Sequence, residues 1–172
     1  PISAYGASKL ADEGLLSARA HSHDLTVWTF RFANVVGPGL RGAVIPDFIE
    51  KLTENPETLT ILGNGRQEKS YLHIEDCVDA MCHIVTHADK AVNTYNLGTR
   101  TTTSVDRIAA IVADEMDLAP DYEYTGGDRG WTGDVPKMRL SIEKLAALGW
   151  EPELSSDRAV RRSTRELIDE LC

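Results

Sequence analysis

The apolar run between Leu25 and Val36 is the feature that most constrains the fold. It reads LTVWTFRFANVV and is rich in β-branched and aromatic side chains, which is typical of a buried strand. Helical patterns stand on both sides of it, and further short strands follow along the chain. Because strands alternate with helices, the sequence predicts an α/β fold.

The other elements follow from capping residues and apolar spacing. Helices are predicted from Ala4 (capped by Ser3) to about His21, over 43–55, from Glu75 to about Thr86, after Ser104, over 141–150 with a stop at Gly149, and from Ser155 or Ser156 to about Leu171. Further strands are predicted within 59–74, on either side of a glycine-rich turn, and over 93–99. Residues 122–141 are predicted to be irregular.

Composition limits the function classes. The chain has 172 residues and a formal net charge of -9, which argues against a general binder of nucleic acid or anionic membranes. Its cysteines form no C-x-x-C pair, and the histidines have no metal-ligand spacing, so no metal site is expected. Cys77 and Cys82 are predicted to be buried in a helix. A reducing, cytoplasmic setting fits these features, and no apolar run is long enough to cross a membrane.

Tyr5 and Lys9 form the clearest catalytic candidate in the sequence. They stand four residues apart on a predicted helix and therefore share a face. A lysine cation close to a phenol favours the phenolate and lowers the phenol pKa from about 10. Such a pair could exchange protons with a sugar hydroxyl near neutral pH. The pair alone is a weak motif, and an exposed helix face is the alternative interpretation.

The surrounding motifs strengthen the catalytic interpretation. YGASKLADE, FRFANVVGPG, GAVIPDFI, ILGNGRQEKSYLHIEDCVDA, YNLGT, SVDRIAAIV, GDV and LGW occur in one order over nearly the whole chain. Together they resemble the C-terminal half of the extended short-chain dehydrogenase/reductase family, in its nucleotide-sugar epimerase and dehydratase branch. GGDRGWTGDVP is most similar to the UDP-glucose 4-epimerase-like members.

The resemblance implies a fold and a domain organisation. The fold would be the C-terminal part of a Rossmann-type doubly wound sheet, followed by a small mixed α/β substrate-binding domain. Residues 1–37 would be the remnant of the NAD-binding domain and residues 38–172 the nucleotide-sugar domain, with chain exchange between the two possible. A homodimer or self-association is also expected, since the first helix would expose Leu10, Leu15 and Leu16.

The resemblance also assigns the cofactor side of the site. Tyr5 would be the catalytic acid/base, Lys9 would bind the nicotinamide ribose of NAD, and the backbone of Phe32 would lie beside the nicotinamide. The family binds the NAD phosphates with a G-x-x-G-x-x-G loop that opens the first βαβ unit. No such unit stands ahead of Tyr5, and neither does the family's catalytic serine or threonine. We therefore expect the chain alone to bind NAD poorly and to be inactive.

On the substrate side, the resemblance places Asn34 at the sugar diphosphate and Ala43 and Val44 at a nucleotide-binding main chain. It places Leu62 at the turn that contacts the base. Lys69 stands where the family usually has an arginine, so it would offer charge to a phosphate without the bidentate fork. Each of these residues has an ordinary structural interpretation as well.

A second family arginine usually stands where this chain has Trp131. Either Arg129 takes that phosphate-binding role from a shifted register, or the role is lost. Trp131 could stack on the base or the sugar. Asp134 would be structural.

Three functions therefore remain open. The first is the substrate-binding portion of an NAD-dependent UDP-glucose/UDP-galactose 4-epimerase, acting by transient oxidation at the sugar C4. The second is a 4,6-dehydratase or uronic-acid decarboxylase of the same family. The third is a nucleotide-sugar-binding module without catalysis.

Overall fold

The computed structural model describes residues 1, 3–128, 130 and 135–171. The helices are α1 (Ala4–His23), α2 (Val44–Glu54), α3 (Ile74–His87), α4 (Val105–Glu115), α5 (Glu143–Ala146) and α6 (Ser156–Leu171). The strands are β1 (Val27–Phe32), β2 (Asn34–Val36), β3 (Thr58–Ile61), β4 (Glu68–Lys69), β5 (Tyr71–His73), β6 (Val92–Leu97), β7 (Thr103–Ser104), β8 (Asp121–Tyr124) and β9 (Lys137–Met138). The α/β class predicted from the sequence is confirmed.

The strands pair mainly in parallel. β1 pairs with β6 from Val27 opposite Val92 to Phe32 opposite Leu97. β2 pairs with β5 and β3 with β8, also in parallel. β4 lies between β7, which is antiparallel to it, and β9, which is parallel. Residues 92–97 thus share a sheet with the strand that follows the first helix.

The long apolar run is two strands rather than one. At Ala33 the chain changes its pairing partner: the Ala33 N–H donates to the carbonyl of Leu97 at 2.8 Å, and the Asn34 N–H donates to the carbonyl of Ser70 at 3.1 Å. Beyond this point the chain follows β5 instead of β6. The switch directs Asn34 away from the β1–β6 pair and toward a second cluster of elements.

Two sequence predictions were wrong in this part of the molecule. Residues 121–124, mostly predicted as irregular, form β8, which is held by its hydrogen bonds to β3. Tyr122 and Tyr124 alternate with Asp121 and Glu123, and this period of two is the strand signal that the sequence prediction overlooked. Cys82, expected to be buried, is exposed because it lies on the outer face of α3, whereas Cys77 is buried.

Two hydrophobic clusters form the core. The larger joins α2, β3, α4 and α6, with Ile45, Phe48 and Ile108 among its fully or almost fully buried members. The smaller packs α3 and α5 against β5 and β6 through Leu72 and Leu97. The first cluster includes α2 and β3, which lie beside the cleft described below.

Candidate functional site

A cleft of about 790 Å³ opens above the carboxyl end of β1, where the chain enters β2. It is lined by Ala33–Val36, by the loop before α2 and the first half of that helix, and by Leu62 after β3. Lys69 of β4 and Tyr71 of β5 also line it, together with Gln67, which directly precedes β4. The cleft therefore lies where segments distant in the sequence converge.

Asn34 reaches the cleft because of the partner switch at Ala33. It is the first residue of β2, is half-buried and lines the cleft wall. Its backbone is fixed by pairing opposite Tyr71 of β5. A carboxamide can both donate and accept hydrogen bonds, so this position suits an oxygen-rich ligand.

The N-terminus of α2 forms a second wall. Ala43 is the N-cap residue, and no side chain caps this end of the helix. The first N–H groups of a helix have no acceptor within it, and the helix dipole favours negative charge there. Ala43 and Val44 both line the cleft, as does Ile45. Burial of Phe48 and Ile49 in the larger core cluster fixes the orientation of the helix.

The turn after β3 brings Leu62 to the cleft. Gly63 and Gly65 have φ values of +83° and +75°, which favour glycine. A Cβ on Gly65 would also lie 1.7 Å from a carboxylate oxygen of Asp106, so the Asp106 side chain would have to move for a larger residue to fit. The turn leaves the Leu62 side chain 50% exposed at the edge of the cleft.

Three charged side chains among the described residues line the cleft: Lys69, Asp47 and Glu50. Lys69 is half-buried on β4, opposite Thr103 of β7 and Met138 of β9. Asp47 is neutralised in part by Lys51, whose Nζ lies 2.7 Å from its Oδ2. Lys69 is thus the cation that the described part of the cleft offers to an anionic ligand.

Sequence reasoning missed two lining residues next to Lys69. Gln67 and Tyr71 stand two positions before and after it, and side chains at that spacing share one face of an extended chain. Gln67 is 3% exposed, and its Nε2 donates to the carbonyl of Leu62 at 3.2 Å. The period of two around Lys69 was the signal that could have identified both residues.

Tyr5 and Lys9 lie outside this cleft, on the exposed first helix. The Tyr5 side chain is 74% exposed, and the Lys9 Nζ lies 5.8 Å from the centre of its ring. Lys9 also contacts Asp12 at 3.3 Å. The pair is therefore side by side on one helix face, as the spacing predicts.

Glu13 connects that face to β1. It follows Lys9 by four residues and accepts two hydrogen bonds from Arg31, at 2.8 and 2.6 Å. The Arg31 hydrogen bond lowers the pKa of the Glu13 carboxyl. Because Arg31 is the last but one residue of β1, the contact sits at the end of the strand that leads into the cleft wall.

Phe32 is on the surface. It ends β1, is 47% exposed and has its ring 6.4 Å from that of Phe30. It does not line the cleft, although its neighbours Ala33 and Asn34 do. Arg129, Trp131 and Asp134 lie outside the described residues, whereas Gly130 lines the cleft.

Glycine spacing of the G-x-x-G-x-x-G type occurs once in the chain, at Gly127, Gly130 and Gly133. It follows β8 and leads towards β9, which is a strand. A dinucleotide-binding loop of that spacing connects a strand to a helix whose N-terminus holds the phosphates. This stretch therefore does not form the first turn of such a unit.

The described residues contain neither a membrane-spanning helix nor a cluster of metal ligands. No helix in 3–128 or 135–171 combines the length and apolar character needed to cross a bilayer. Within the same ranges, no group of three or more His, Cys, Asp and Glu side chains is placed to hold a metal ion.

A family profile, solved structures and a curated relative all relate this chain to nucleotide-sugar epimerases and dehydratases. The sequence profile of the NAD-dependent epimerase/dehydratase family matches residues 1–98. A crystal structure of UDP-galactose 4-epimerase is 38% identical with a TM-score of 0.90, covering 100% of this chain and 56% of that one. UDP-glucose 4-epimerase of Thermotoga maritima, crystallised with UDP-glucose, is 26% identical with a TM-score of 0.86, covering 100% and 55%.

A relative of Burkholderia thailandensis, dTDP-L-rhamnose 4-epimerase, is 28% identical over 99% of this chain and 48% of its own length. The chain thus spans about half the length of the relatives that it matches.

Proposed function

This chain belongs to the NAD-dependent epimerase/dehydratase family, and we propose that it is the nucleotide-sugar-binding portion of a UDP-glucose/UDP-galactose 4-epimerase. One observation carries the proposal: five residues assigned to the substrate by family resemblance, from separate segments of the sequence, line a single cleft. They are Asn34, Ala43, Val44, Leu62 and Lys69. Nothing in the spacing of these residues along the chain requires them to meet.

The chemistry of the cleft suits a nucleotide diphosphate. The Asn34 carboxamide can donate to a phosphate oxygen without burying a charge. Lys69 supplies a cation, and the uncapped start of α2 adds N–H donors at Ala43 and Val44. Leu62 offers an apolar surface to the base. We further propose that Arg129 contributes a second phosphate contact or that Trp131 stacks on the ligand.

The catalytic step is assigned to α1. In the proposed reaction the Tyr5 phenolate oxygen takes the proton of the sugar C4 hydroxyl and later returns it to the C4 oxygen, and Lys9 binds the ribose of the cofactor. NAD supplies the hydride acceptor and donor at C4 when it is bound. Tyr5 is exposed on α1, and Glu13 of the same helix reaches Arg31 near the carboxyl end of β1, where the Phe32 backbone would meet the nicotinamide.

The described residues fit the nicotinamide-ribose end of NAD, for which Tyr5 and Lys9 provide a phenol and an ammonium group. Among the described elements, none forms a strand–glycine-loop–helix unit for the pyrophosphate. We therefore propose that the chain by itself binds NAD weakly and is inactive. NAD binding to this chain with micromolar affinity in calorimetry would contradict that proposal.

We propose a division of the chain into residues 1–37, which belong with the NAD-binding sheet, and residues 38–172, which bind the nucleotide sugar. Chain exchange between the two parts is supported by the pairing of β6 with β1. Self-association through the exposed leucines of α1 is a second proposal, supported by exposures of 58% for Leu10 and 67% for Leu15. A monomer in light scattering across the accessible concentration range would contradict it.

The proposed function is tested by calorimetric titration of the chain with UDP, UDP-glucose and dTDP-glucose. We expect UDP and UDP-glucose to bind, with dTDP-glucose weaker. Failure of all three to bind would contradict a nucleotide-sugar role altogether. Binding that strongly favours dTDP-glucose would instead support the related 4-epimerases that act on dTDP-sugars.

A 4,6-dehydratase is the second candidate, because the family profile covers dehydratases as well as epimerases. The two differ in product. In a chain reconstituted with an NAD-binding portion, an epimerase gives the C4 epimer, whereas a dehydratase releases water and gives a 4-keto-6-deoxy sugar. Mass spectrometry of the sugar product separates the two reactions, since only the dehydratase product loses 18 Da.

A further inference from the structure

Two loops that are far apart in the sequence are bonded together at one edge of the cleft. The first is the turn at residues 62–66, and the second is the segment 125–128, which follows β8. The Gly63 N–H donates to the Thr125 hydroxyl oxygen at 2.8 Å, and the Gly126 N–H donates to the Gly63 carbonyl at 2.9 Å. Leu62 of the first loop lines the cleft, and so does Gly130.

A side-chain contact reinforces the backbone contacts. Asn64 accepts from the Arg66 N–H at 3.0 Å through its Oδ1, which fixes the orientation of its amide. Its Nδ2 then donates to Asp128 Oδ1 at 3.0 Å. Both ends of the 125–128 segment are therefore tied to the turn, one through Thr125 and one through Asp128.

The Thr125 hydroxyl has a specific role among these contacts. Gly63 is buried, and the Thr125 oxygen accepts its N–H. A buried N–H that loses its acceptor is costly, so the turn would have to rearrange if the hydroxyl were removed. Such a rearrangement would move the neighbouring Leu62, whose carbonyl is already occupied by Gln67.

We infer that Thr125 is a positioning residue for nucleotide binding. Its hydroxyl, helped by the Asn64–Asp128 contact, holds the turn against the 125–128 segment at the edge of the cleft, so that Leu62 keeps a fixed position. The inference rests on the proposed function and adds to it residues that the family resemblance does not assign. A wall fixed before binding reduces the ordering cost that the ligand must offset.

The test compares Thr125→Val, Thr125→Ser and Thr86→Val with the unchanged chain. Valine keeps the shape of threonine and removes the hydroxyl, whereas serine keeps the hydroxyl. Thr86 is a matched control, because its hydroxyl bonds within α3, to the Cys82 carbonyl, away from the cleft. Calorimetry with UDP gives the dissociation constant, and urea unfolding gives the stability of each variant.

We expect Thr125→Val to weaken UDP binding by up to roughly tenfold, because UDP must then order the turn that the Thr125–Gly63 hydrogen bond holds in the unchanged chain. Thr125→Ser should restore the affinity, and Thr86→Val should leave it unchanged. Hydrogen exchange at the Gly63 and Gly126 amides should quicken in Thr125→Val alone.

The possible outcomes distinguish the positioning role of Thr125 from the proposed nucleotide-sugar function. UDP binding by Thr125→Val as tight as that of the unchanged chain overturns the positioning role while leaving the proposed function intact. An equal loss of affinity in Thr125→Val and Thr125→Ser also overturns it, since the hydroxyl would then be irrelevant. Absence of UDP binding by the unchanged chain contradicts the proposed function itself.

Discussion

Helices α1 and α2 carry the two halves of the proposed chemistry and differ in how they are held. In α1, Ala20 is the buried residue. In α2, a shorter helix, Ile45, Pro46, Phe48, Ile49 and Leu52 are buried. The difference means that the cleft wall is built from the chain's own core, whereas the Tyr5 and Lys9 face depends on end caps and on one ion pair.

The contacts that hold α1 are mostly local. Ser3 caps its start by accepting from the Gly6 N–H at 3.0 Å, and Asp24 ends it in the left-handed region with φ of +51°. Beyond these, the Glu13–Arg31 ion pair links it to β1. Such contacts set the helix length but bury little apolar surface, so we expect α1 to contribute little to global stability.

The largest expected effect is on the stability of the cleft wall. Phe48→Ala should lower the free energy of unfolding by about 3–5 kcal/mol, because it removes a ring that is 2% exposed in the larger core cluster. Leu15→Ala, at a site 67% exposed on α1, should change it by under about 0.5 kcal/mol. Urea unfolding measures both. Equal losses would mean that α1 is packed as firmly as α2.

The next effect concerns ligand affinity rather than stability. Lys69→Met should weaken UDP binding about 10- to 100-fold, because it removes the cation beside the phosphates. Lys69→Arg should preserve binding and could add a bidentate contact. Lys90→Met is the control, since Lys90 is exposed before β6 and does not line the cleft. Unchanged UDP affinity in Lys69→Met would remove Lys69 from the site.

Sequence patterns predicted α2 well and β2 poorly, for a physical reason. The spacing of Ile45, Phe48, Ile49 and Leu52 is local, and all four are buried as it predicts. The change of partner at Ala33 depends on where β5 and β6 lie, and these strands come much later in the chain. No pattern within the run from Leu25 to Val36 contains that information.

The distinction between local patterns and long-range contacts also applies to the site. Family resemblance selected Asn34 and Lys69, and the structure places both on one cleft. It did not select Thr125, whose contact with Gly63 spans 62 positions. That contact depends on the pairing of β8 with β3, and β8 is exposed along its whole length. The alternation of Tyr122 and Tyr124 with charged residues could indicate a strand, but nothing local identifies β3 as its partner.

A smaller effect on stability is expected from the ion pairs that join Glu115 of α4 to Arg161 and Arg165 of α6. Arg165 and then Arg161 hydrogen-bond to Glu115 at the end of α4, and together they lower the pKa of its carboxyl below 4.5. When the pKa of a carboxyl is lower in the folded state than in the unfolded state, its ionisation stabilises the fold at pH values above the unfolded-state pKa. This contribution is lost as the pH falls through the folded-state pKa. Glu115→Gln should therefore cost about 1 kcal/mol at pH 7 and progressively less below pH 4.5.

Urea unfolding at pH 7 and at pH 3 checks that expectation. The difference in stability between Glu115→Gln and the unchanged chain should narrow at the lower pH. A difference that stays constant between the two would show that the glutamate acts by packing rather than by charge.

The smallest expected effect is on α1 itself, through Glu13 and Arg31. Arg31 is about half exposed, so solvent screens the pair and the coupling energy should be under about 1 kcal/mol. A double-mutant cycle with Glu13→Gln and Arg31→Met measures it by urea unfolding, and 1 M salt should reduce it. Hydrogen exchange adds the local readout: the amides of α1 should exchange faster in either single variant, while those of α2 stay protected. If the α1 amides are unaffected, the ion pair does not hold the Tyr5 and Lys9 face against β1, and the capping contacts alone must do so.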